Sequence, residues 1–420
     1  MKRVLLLATT TGYQTRMFGE AADRLGVKLV FATDRCDQLE DPWWDEAIPV
    51  RFHQEQAATE AILDAARAQP VAGVLAVGDR PTVVGALVAR ALGLPGHLPS
   101  AARAARDKHL LRDRLLGAGL HAPRFLAVPR STDPRELVAR LWWPIVVKPT
   151  VLSGSRGVIR ANNEYEFIDA FERVQDLLDA SDIKAMRDPA TDEILLEQFV
   201  DGAEYALEGV LEHGQLRTLA IFDKPDPLEG PFFEETLYIT PTRADSTIQQ
   251  ALEQTTAEAA RALGLFHGPI HAECRVNTRG VFILEVAARP IGGLCALVLR
   301  FVGPGDGPIG LEELILRHVL GEPMAPWCRE PDATGVMMIP IPGEGVYRRV
   351  HGVDAARGVP GVTDIRITAK PDQLLLPLPE GASYLGFIFA RAAEPAAVER
   401  ALRHAHARLS FVIDRRIAIT

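Results

Sequence analysis

The 420-residue sequence predicts an α/β protein with α+β parts. Three observations carry that prediction. Strand and helix patterns alternate to about residue 97, strand-rich sequence then runs to about residue 325, and a mixed tail closes the chain. At roughly 100 to 200 residues per domain, the expected units are 1–99, 100–325 and 326–420.

Apolar residues make up 47% and charged residues 24% of the chain, the balance of a folded globular protein. Its net charge of -9 argues against a general nucleic-acid or membrane-surface binder. The apolar run from Val4 to Ala8 is shorter than the roughly 7 to 15 residues of a signal-peptide core and reads as a buried first strand. Cys36, Cys274, Cys295 and Cys328 are scattered and contain no C-x-x-C pair. Neither a disulfide framework nor a zinc site is indicated, and a cytoplasmic location fits.

The segments "KRVLLLAT", "MFGEAADRLG", "VKLVFATD", "ATEAILDAARAQ", "VAGVLAVGD" and "PTVVGALVARALGLPG" alternate as a Rossmann-like parallel sheet requires. The first turn, "TTTGYQTR", lacks G-x-G-x-x-G, so no dinucleotide site is marked. One helix is expected from Ser100 to near Gly117 or Gly119, with Ala104, Lys108, Leu111 and Leu115 on one face. A lysine on such a stripe is ordinarily a snorkelling surface residue.

"LWWPIVVKPTVLSGSRGVIR" reads as a strand ending at Lys148, a small-residue loop with Ser155 and Gly157, and a second strand. Glycine and serine suit such a loop to phosphate, although this is not a P-loop and such a tip is otherwise just a turn. After a helical stretch at about 164–186, "DEILLEQFVDGAEYALEGVLEHGQLRTLAIFDK" alternates like successive antiparallel strands turning at Asp201-Gly202 and His213-Gly214. An acidic loop, a helix and the hairpin "HAECRVNTRGVFILEVAARPIGG" complete this part.

A three-residue turn, Thr278-Arg279-Gly280, would pair Asn277 with Val281 and therefore Glu273 with Glu285. Facing carboxylates repel unless a cation lies between them, and hard oxygen ligands suit Mg²⁺. The plain alternative is a solvated polar face. Arg289 on the strand extension would add a fixed cation for a phosphoryl or carboxylate group.

Lys108, Lys148 with "SGSRG", Glu197 in "EQFVDGAEY", Glu273, and Glu285 through Arg289 together resemble, in order and spacing, the ATP-grasp superfamily of carboxylate–amine ligases. The resemblance covers residues 1 to 325, and the tail and the "FDKPDPLEGPFFEETLYITPT" loop look most like bacterial L-amino-acid (dipeptide) ligases. It implies an ATP-grasp fold with an N-terminal Rossmann-like domain, an ATP-grasp domain whose lid spans about residues 124–200, and a small mixed C-terminal domain. ATP is implied as cosubstrate, with Mg²⁺, or Mn²⁺ in its place. Lys108 and Lys148 would touch phosphates, and Ser155 and Gly157 would belong to the loop over them. Glu197, Gln198, Phe199 and Val200 would line the adenine, and Glu204 would bind the ribose. Glu273 and Glu285 would hold the metal, and Arg289 would stabilise the transferring phosphoryl group. Ala287 stands where many members have a further ligand, asparagine.

The same branch implies that Asp79, Glu235, Tyr238, Arg289, Gly292 and Gly293 meet substrate, with Glu235 or Asp79 accepting the amine's proton. Asp79 otherwise reads as a strand-end cap and Glu235 as a solvated acid. The implied reaction joins a small-molecule carboxylate to an amine through an acyl phosphate, in a homodimer. Rival readings are an ATP-grasp enzyme acting on bicarbonate or a nucleotide-precursor amine, and a non-catalytic ATP-binding regulator.

Overall fold

The computed structural model describes residues 1–9, 13–34, 47–305 and 307–415. Residues 10–12 of the first turn, and Cys36, lie outside them. Strands β1 (Arg3–Ala8), β2 (Lys28–Thr33), β3 (Ile48–Pro49) and β4 (Gly73–Val77) form a parallel sheet in the order β3-β2-β1-β4. Val4 and Leu6 enter one core and Leu5 and Leu7 another, so β1 is buried on both faces. That is why it is written as an unbroken apolar run. Helices α1 (Tyr13–Leu25), α2 (Glu55–Ala68) and α3 (Thr82–Ala91) flank the sheet.

The helix expected from Ser100 is broken into α4 (Pro99–Arg106) and α5 (Lys108–Gly117). Asp107 is extended at the break, and its carboxylate accepts the His109 and Leu110 N–H groups at 2.9 and 3.2 Å. This capping competes successfully with helix continuation. It also turns Lys108 away from a surface stripe and onto the first turn of α5, where it is buried.

Strands β5 (Phe125–Pro129), β6 (Ile145–Pro149), β7 (Ile159–Ala161) and β8 (Glu193–Gln198) make a separate antiparallel sheet, β5-β8-β6-β7. Phe167, Phe171 and Val174 of α6 (Glu164–Leu178) cover it. β8 does not begin a hairpin with the next strand, as its sequence suggested. The chain instead crosses at Gly202, whose φ of +107° and approach to the Val276 carbonyl leave no room for a Cβ.

Strands β9 (Ala203–Glu212), β10 (Gln215–Lys224), β11 (Leu237–Thr240), β12 (Gly268–Asn277) and β13 (Gly280–Ala287) belong to an eight-stranded antiparallel sheet. It runs β13-β12-β9-β10-β11 and continues through Ala333–Ile339, Gly386–Ala392 and Val362–Ile367. These three C-terminal strands thus extend the central sheet, while Gly345–His351, Leu374–Leu375 and Ser410–Asp414 form a small antiparallel sheet of their own. Helix α7 (Ser181–Lys184) lies in the segment before β8, and α8 (Ser246–Leu263) packs on the β13 side of the long sheet. α9 (Leu311–Val319) contributes to the core shared with α1 and β1. No described helix is long and apolar enough to cross a membrane.

The His213, His267 and His318 rings lie in series, with centroids 5.0 and 4.3 Å apart. His97 accepts the Phe266 N–H at 3.1 Å. Burial pushes His97, His267 and His318 each down to about 4. The unfolded chain therefore binds more protons than the folded one between about pH 6.5 and 4. Stability present above the unfolded value is lost as pH falls through that window. Thermal midpoints measured from pH 7 to 4.5 should fall steadily, and His318→Leu should flatten part of the slope.

Candidate active site

A cavity of about 530 Å³ opens where the parallel sheet, the separate four-stranded sheet and the long sheet meet. Asp79, at the C-terminal end of β4, enters from one side, and Lys108 and Lys148 enter from another. Ser155, Glu197, Gln198, Phe199, Val200 and Glu204 also line it. So do Glu235, Tyr238, Glu273, Glu285, Arg289, Gly292 and Gly293. Gly157 does not. Its N–H donates to the Pro379 carbonyl at 2.9 Å, and Leu177 and Pro149 crowd the place of a Cβ.

Glu273 does face Glu285, but not through a three-residue turn. Asn277 pairs with Gly280, leaving Thr278 and Arg279 as a two-residue turn. That register alone would oppose Glu273 to Leu284. A β-bulge between Cys274 and Glu273 inserts Leu284 as an unpaired residue and brings Glu285 into register. The Leu284 carbonyl, freed from the ladder, accepts Arg112 Nη2 at 2.9 Å.

Arg112 is fully buried one helical turn after Lys108. Its Nε donates to Glu197 Oε1 at 2.7 Å, while Lys148 Nζ lies 2.6 Å from Glu197 Oε2. Glu197 is therefore enclosed by two cations, which outweigh burial and hold it below its ordinary value. Burial pushes Lys148 down to about 8 despite that partner. Lys108 Nζ donates to the Leu152 carbonyl at 2.8 Å and sits 3.4 Å from Glu285 Oε2. The backbone beside Glu197 is partly engaged as well. Gln198 and Phe199 N–H groups donate to the Arg124 and Pro144 carbonyls, and the Val200 carbonyl accepts Arg275.

On the long sheet the register sets charge opposite charge. Glu204 lies opposite Lys224 on β10 and Arg275 on β12, with contacts of 2.6 and 2.8 Å. Lys224 Nζ also touches Glu235 at 2.5 Å and lies 3.5 Å from Glu273. Burial, reinforced by Glu273, pushes Glu235 up to about 7. Glu204, Glu235 and Glu273 form a cluster of three carboxylates with oxygens within 4.8 Å of one another, the one group of three or more such side chains close enough to share a metal among the described residues. The Lys224 ammonium already serves that group as its cation. Glu273 and Glu285 are each about one-fifth exposed to the cavity, each beside a lysine ammonium, and carry hard oxygen donors. This pair fits Mg²⁺ or Mn²⁺.

Arg289 Nε and Nη2 donate to both Asp79 oxygens at 2.7 and 3.1 Å, joining the long sheet to the parallel one. Burial opposes this charge, but Asp79 raises the guanidinium's pKa. Asp79 is thus engaged by Arg289. Further along the strap, Ile291 N–H donates to both oxygens of fully buried Glu208, and its carbonyl accepts Gln14 Nε2 at 2.6 Å. Glu208 also meets His271 Nδ1 at 3.1 Å.

Arg112, Lys224, Arg275, Glu208 and His271 escaped the sequence reading. A signal existed for three of them: polar residues at 204 and 208 on β9 and at 271, 273 and 275 on β12, an even number of positions apart on each strand, place charges on one face. Lys224 becomes meaningful only once β10 is known to lie beside β9.

A model of the ATP-grasp domain matches residues 141–298, and one of the ATP-grasp N-terminal domain matches 19–96. L-amino acid ligase C-terminal domain 2 matches 337–414. An uncharacterised protein of Sinorhizobium fredii is 25% identical over 96% of this chain and 82% of its own length. Alanine–anticapsin ligase of Bacillus subtilis is 31% identical over 48% of this chain and 44% of that protein, so the match spans less than half of either. The solved structure of an L-amino acid ligase from Bacillus licheniformis superposes with a TM-score of 0.82, at 26% identity and 99% coverage of both chains.

Glu197→Ala leaves two buried cations without their carboxylate. Removing one partner of a buried pair costs about 3–5 kcal/mol, whereas the exposed Arg279–Asp201 pair, at 3.6 Å, belongs to a class worth at most about 1 kcal/mol. Urea unfolding of Glu197→Ala and Arg279→Ala should reproduce that ranking.

Proposed function

We propose that this chain, which has the ATP-grasp fold, is an ATP-dependent carboxylate–amine ligase that joins two amino acids or amino-acid-like substrates through an acyl phosphate, releasing ADP and phosphate. The observation that carries the reading is one cavity holding two buried lysines, two facing carboxylates and an arginine fixed by an aspartate. The similarity to alanine–anticapsin ligase and to an L-amino acid ligase supports amino-acid substrates.

In this reading Lys108 and Lys148 hold ATP phosphates beneath the loop containing Ser155, and the adenine lies beside Gln198, Phe199 and Val200. Glu204, at the inner end of that wall, faces the ribose. Glu273 and Glu285 hold Mg²⁺ or Mn²⁺, which when bound neutralises phosphate charge. Lys148 and Arg289 stabilise the phosphoryl group as it passes to the substrate carboxylate, which is otherwise a poor electrophile. Asp79 keeps the guanidinium aimed, a positioning role that precedes any contact with substrate.

The acyl phosphate must meet an amine before water. Arg156 Nε and Arg173 bind the Glu380 carbonyl and carboxylate, so the C-terminal segment closes over the small-residue loop. Glu235, poised near neutrality, accepts the proton that the attacking ammonium must lose. Gly292 has nothing within 4 Å of a Cβ position, which leaves room for substrate against the backbone. Beyond Tyr238 the wall turns apolar at Cys295, Met338, Tyr384 and Phe387, favouring an apolar substrate side chain. A cytoplasmic homodimer is the proposed setting.

ADP release should require ATP, a divalent metal and amino acids, with a dipeptide mass in the product when pairs of L-amino acids are screened. Release that needs bicarbonate and ignores amino acids would replace this reading. Tight ATP binding without ADP under every pair would favour a regulator. Because protonated Lys148 is the phosphate-binding form, nucleotide affinity should fall as pH rises through about 8. Lys148→Met should remove that pH dependence and weaken binding at least tenfold, as equilibrium titration at each pH would measure.

A further inference from the structure

We infer that Glu208 and His271 are positioning residues that set the aim of the Glu273 carboxylate and the conformation of the Arg289–Gly293 strap together. The inference rests on the reading of Glu273 as a metal ligand. Its geometry runs through one buried side chain. Glu208 is fully buried, accepts the Ile291 N–H at 3.2 and 3.1 Å, and meets His271 Nδ1 at 3.1 Å.

The opposite ring nitrogen, His271 Nε2, lies 3.7 Å from Glu273 Oε1. A carboxylate on Nδ1 fixes the tautomer and orientation of an imidazole, and an imidazole so fixed orients the group on its other side. The sheet register makes this unavoidable. His271 lies directly opposite Glu208 on β9 and opposite Ala287 on β13, and Ala287 offers no polar side chain to share that face. Glu208 and His271 are therefore the polar support of Glu273 on this side, and Lys224 and Tyr238 support it on the other, at 3.5 and 3.4 Å.

The same Glu208 oxygens fix Ile291, two residues after Arg289, while Gln14 holds the Ile291 carbonyl. One buried carboxylate thus links the metal-binding acid to the strap that presents Arg289, Gly292 and Gly293. Loss of it should disturb metal affinity and amino-acid binding in the same variant, although Glu208 touches neither ligand.

The test measures Mn²⁺ binding to the ATP-loaded protein by electron paramagnetic resonance, in wild type, Glu208→Gln, His271→Asn and Ile270→Val. Ile270 is a β12 neighbour buried in the opposite core, so its truncation lowers stability without touching the relay. Glu208→Gln and His271→Asn should weaken Mn²⁺ at least tenfold, in the range of about 10- to 100-fold seen when an outer partner of a metal ligand is removed. Metal-free ATP affinity should stay unchanged. Glu208→Gln should also raise the amino-acid KM more than it lowers kcat, and Ile270→Val should bind Mn²⁺ like wild type.

If Glu208→Gln fails to fold, His271→Asn decides alone. Wild-type Mn²⁺ affinity in a folded His271→Asn, or losses that follow thermal midpoint in all three variants, would overturn the inference. Absence of ADP release with every amino-acid pair would instead strike the ligase reading, and would leave the Mn²⁺ result to stand or fall by itself.

Discussion

Carboxylates cannot leave water without cations, and this cavity is organised by that constraint. Glu197, Glu204 and Glu208 are all buried, and an isolated buried charge is prohibitively costly. Each is enclosed: Glu197 by Arg112 and Lys148, Glu204 by Lys224 and Arg275, Glu208 by His271 and a backbone N–H. Those pairs contribute little net stability compared with an apolar core of the same shape. What they provide is a fixed array of charge, laid out in advance of any ligand. Glu273 and Glu285 stay partly open to the cavity, each with a lysine beside it.

The same pairing ties the segments of the chain together. Asp79 from the parallel sheet grips Arg289 from the long one, and Gln14 of α1 reaches the Ile291 carbonyl. The four-stranded sheet is joined to α5 through Glu197 and Arg112. Its loop is joined to the C-terminal segment by Gly157 and Arg156, and its covering helix α6 by Arg173. No one segment carries the site, so the chemistry proposed for it belongs to the whole chain.

Much of this was legible in the sequence, for physical reasons that differ from element to element. The βα alternation at the N-terminus was readable because a parallel sheet buried on both faces writes its strands as apolar runs. The opposition of Glu273 and Glu285 was readable as an outcome but not as a cause, since the bulge at Leu284 has no mark in local sequence. A three-residue turn gave the right pairing through the wrong geometry. The break at Asp107 was hidden by an Ala/Arg-rich pattern that continues across it, and only the capping hydrogen bonds reveal it. β8 could not be assigned to its sheet because its partners, β5 and β6, lie far back in the chain. Glu208 and His271 showed the correct alternation, but their meeting depends on β12 lying beside β9.

The central claim is that a substrate carboxylate is activated by phosphoryl transfer in this array. It is tested most directly with an amino acid carrying ¹⁸O in its carboxylate, incubated with ATP, Mg²⁺ and an amine partner, by mass spectrometry of the phosphate released. An acyl phosphate transfers one substrate oxygen to phosphate when the amine displaces it, so the account predicts one ¹⁸O in each phosphate formed, with ADP as coproduct. Unlabelled phosphate, or AMP as the nucleotide product, would contradict it.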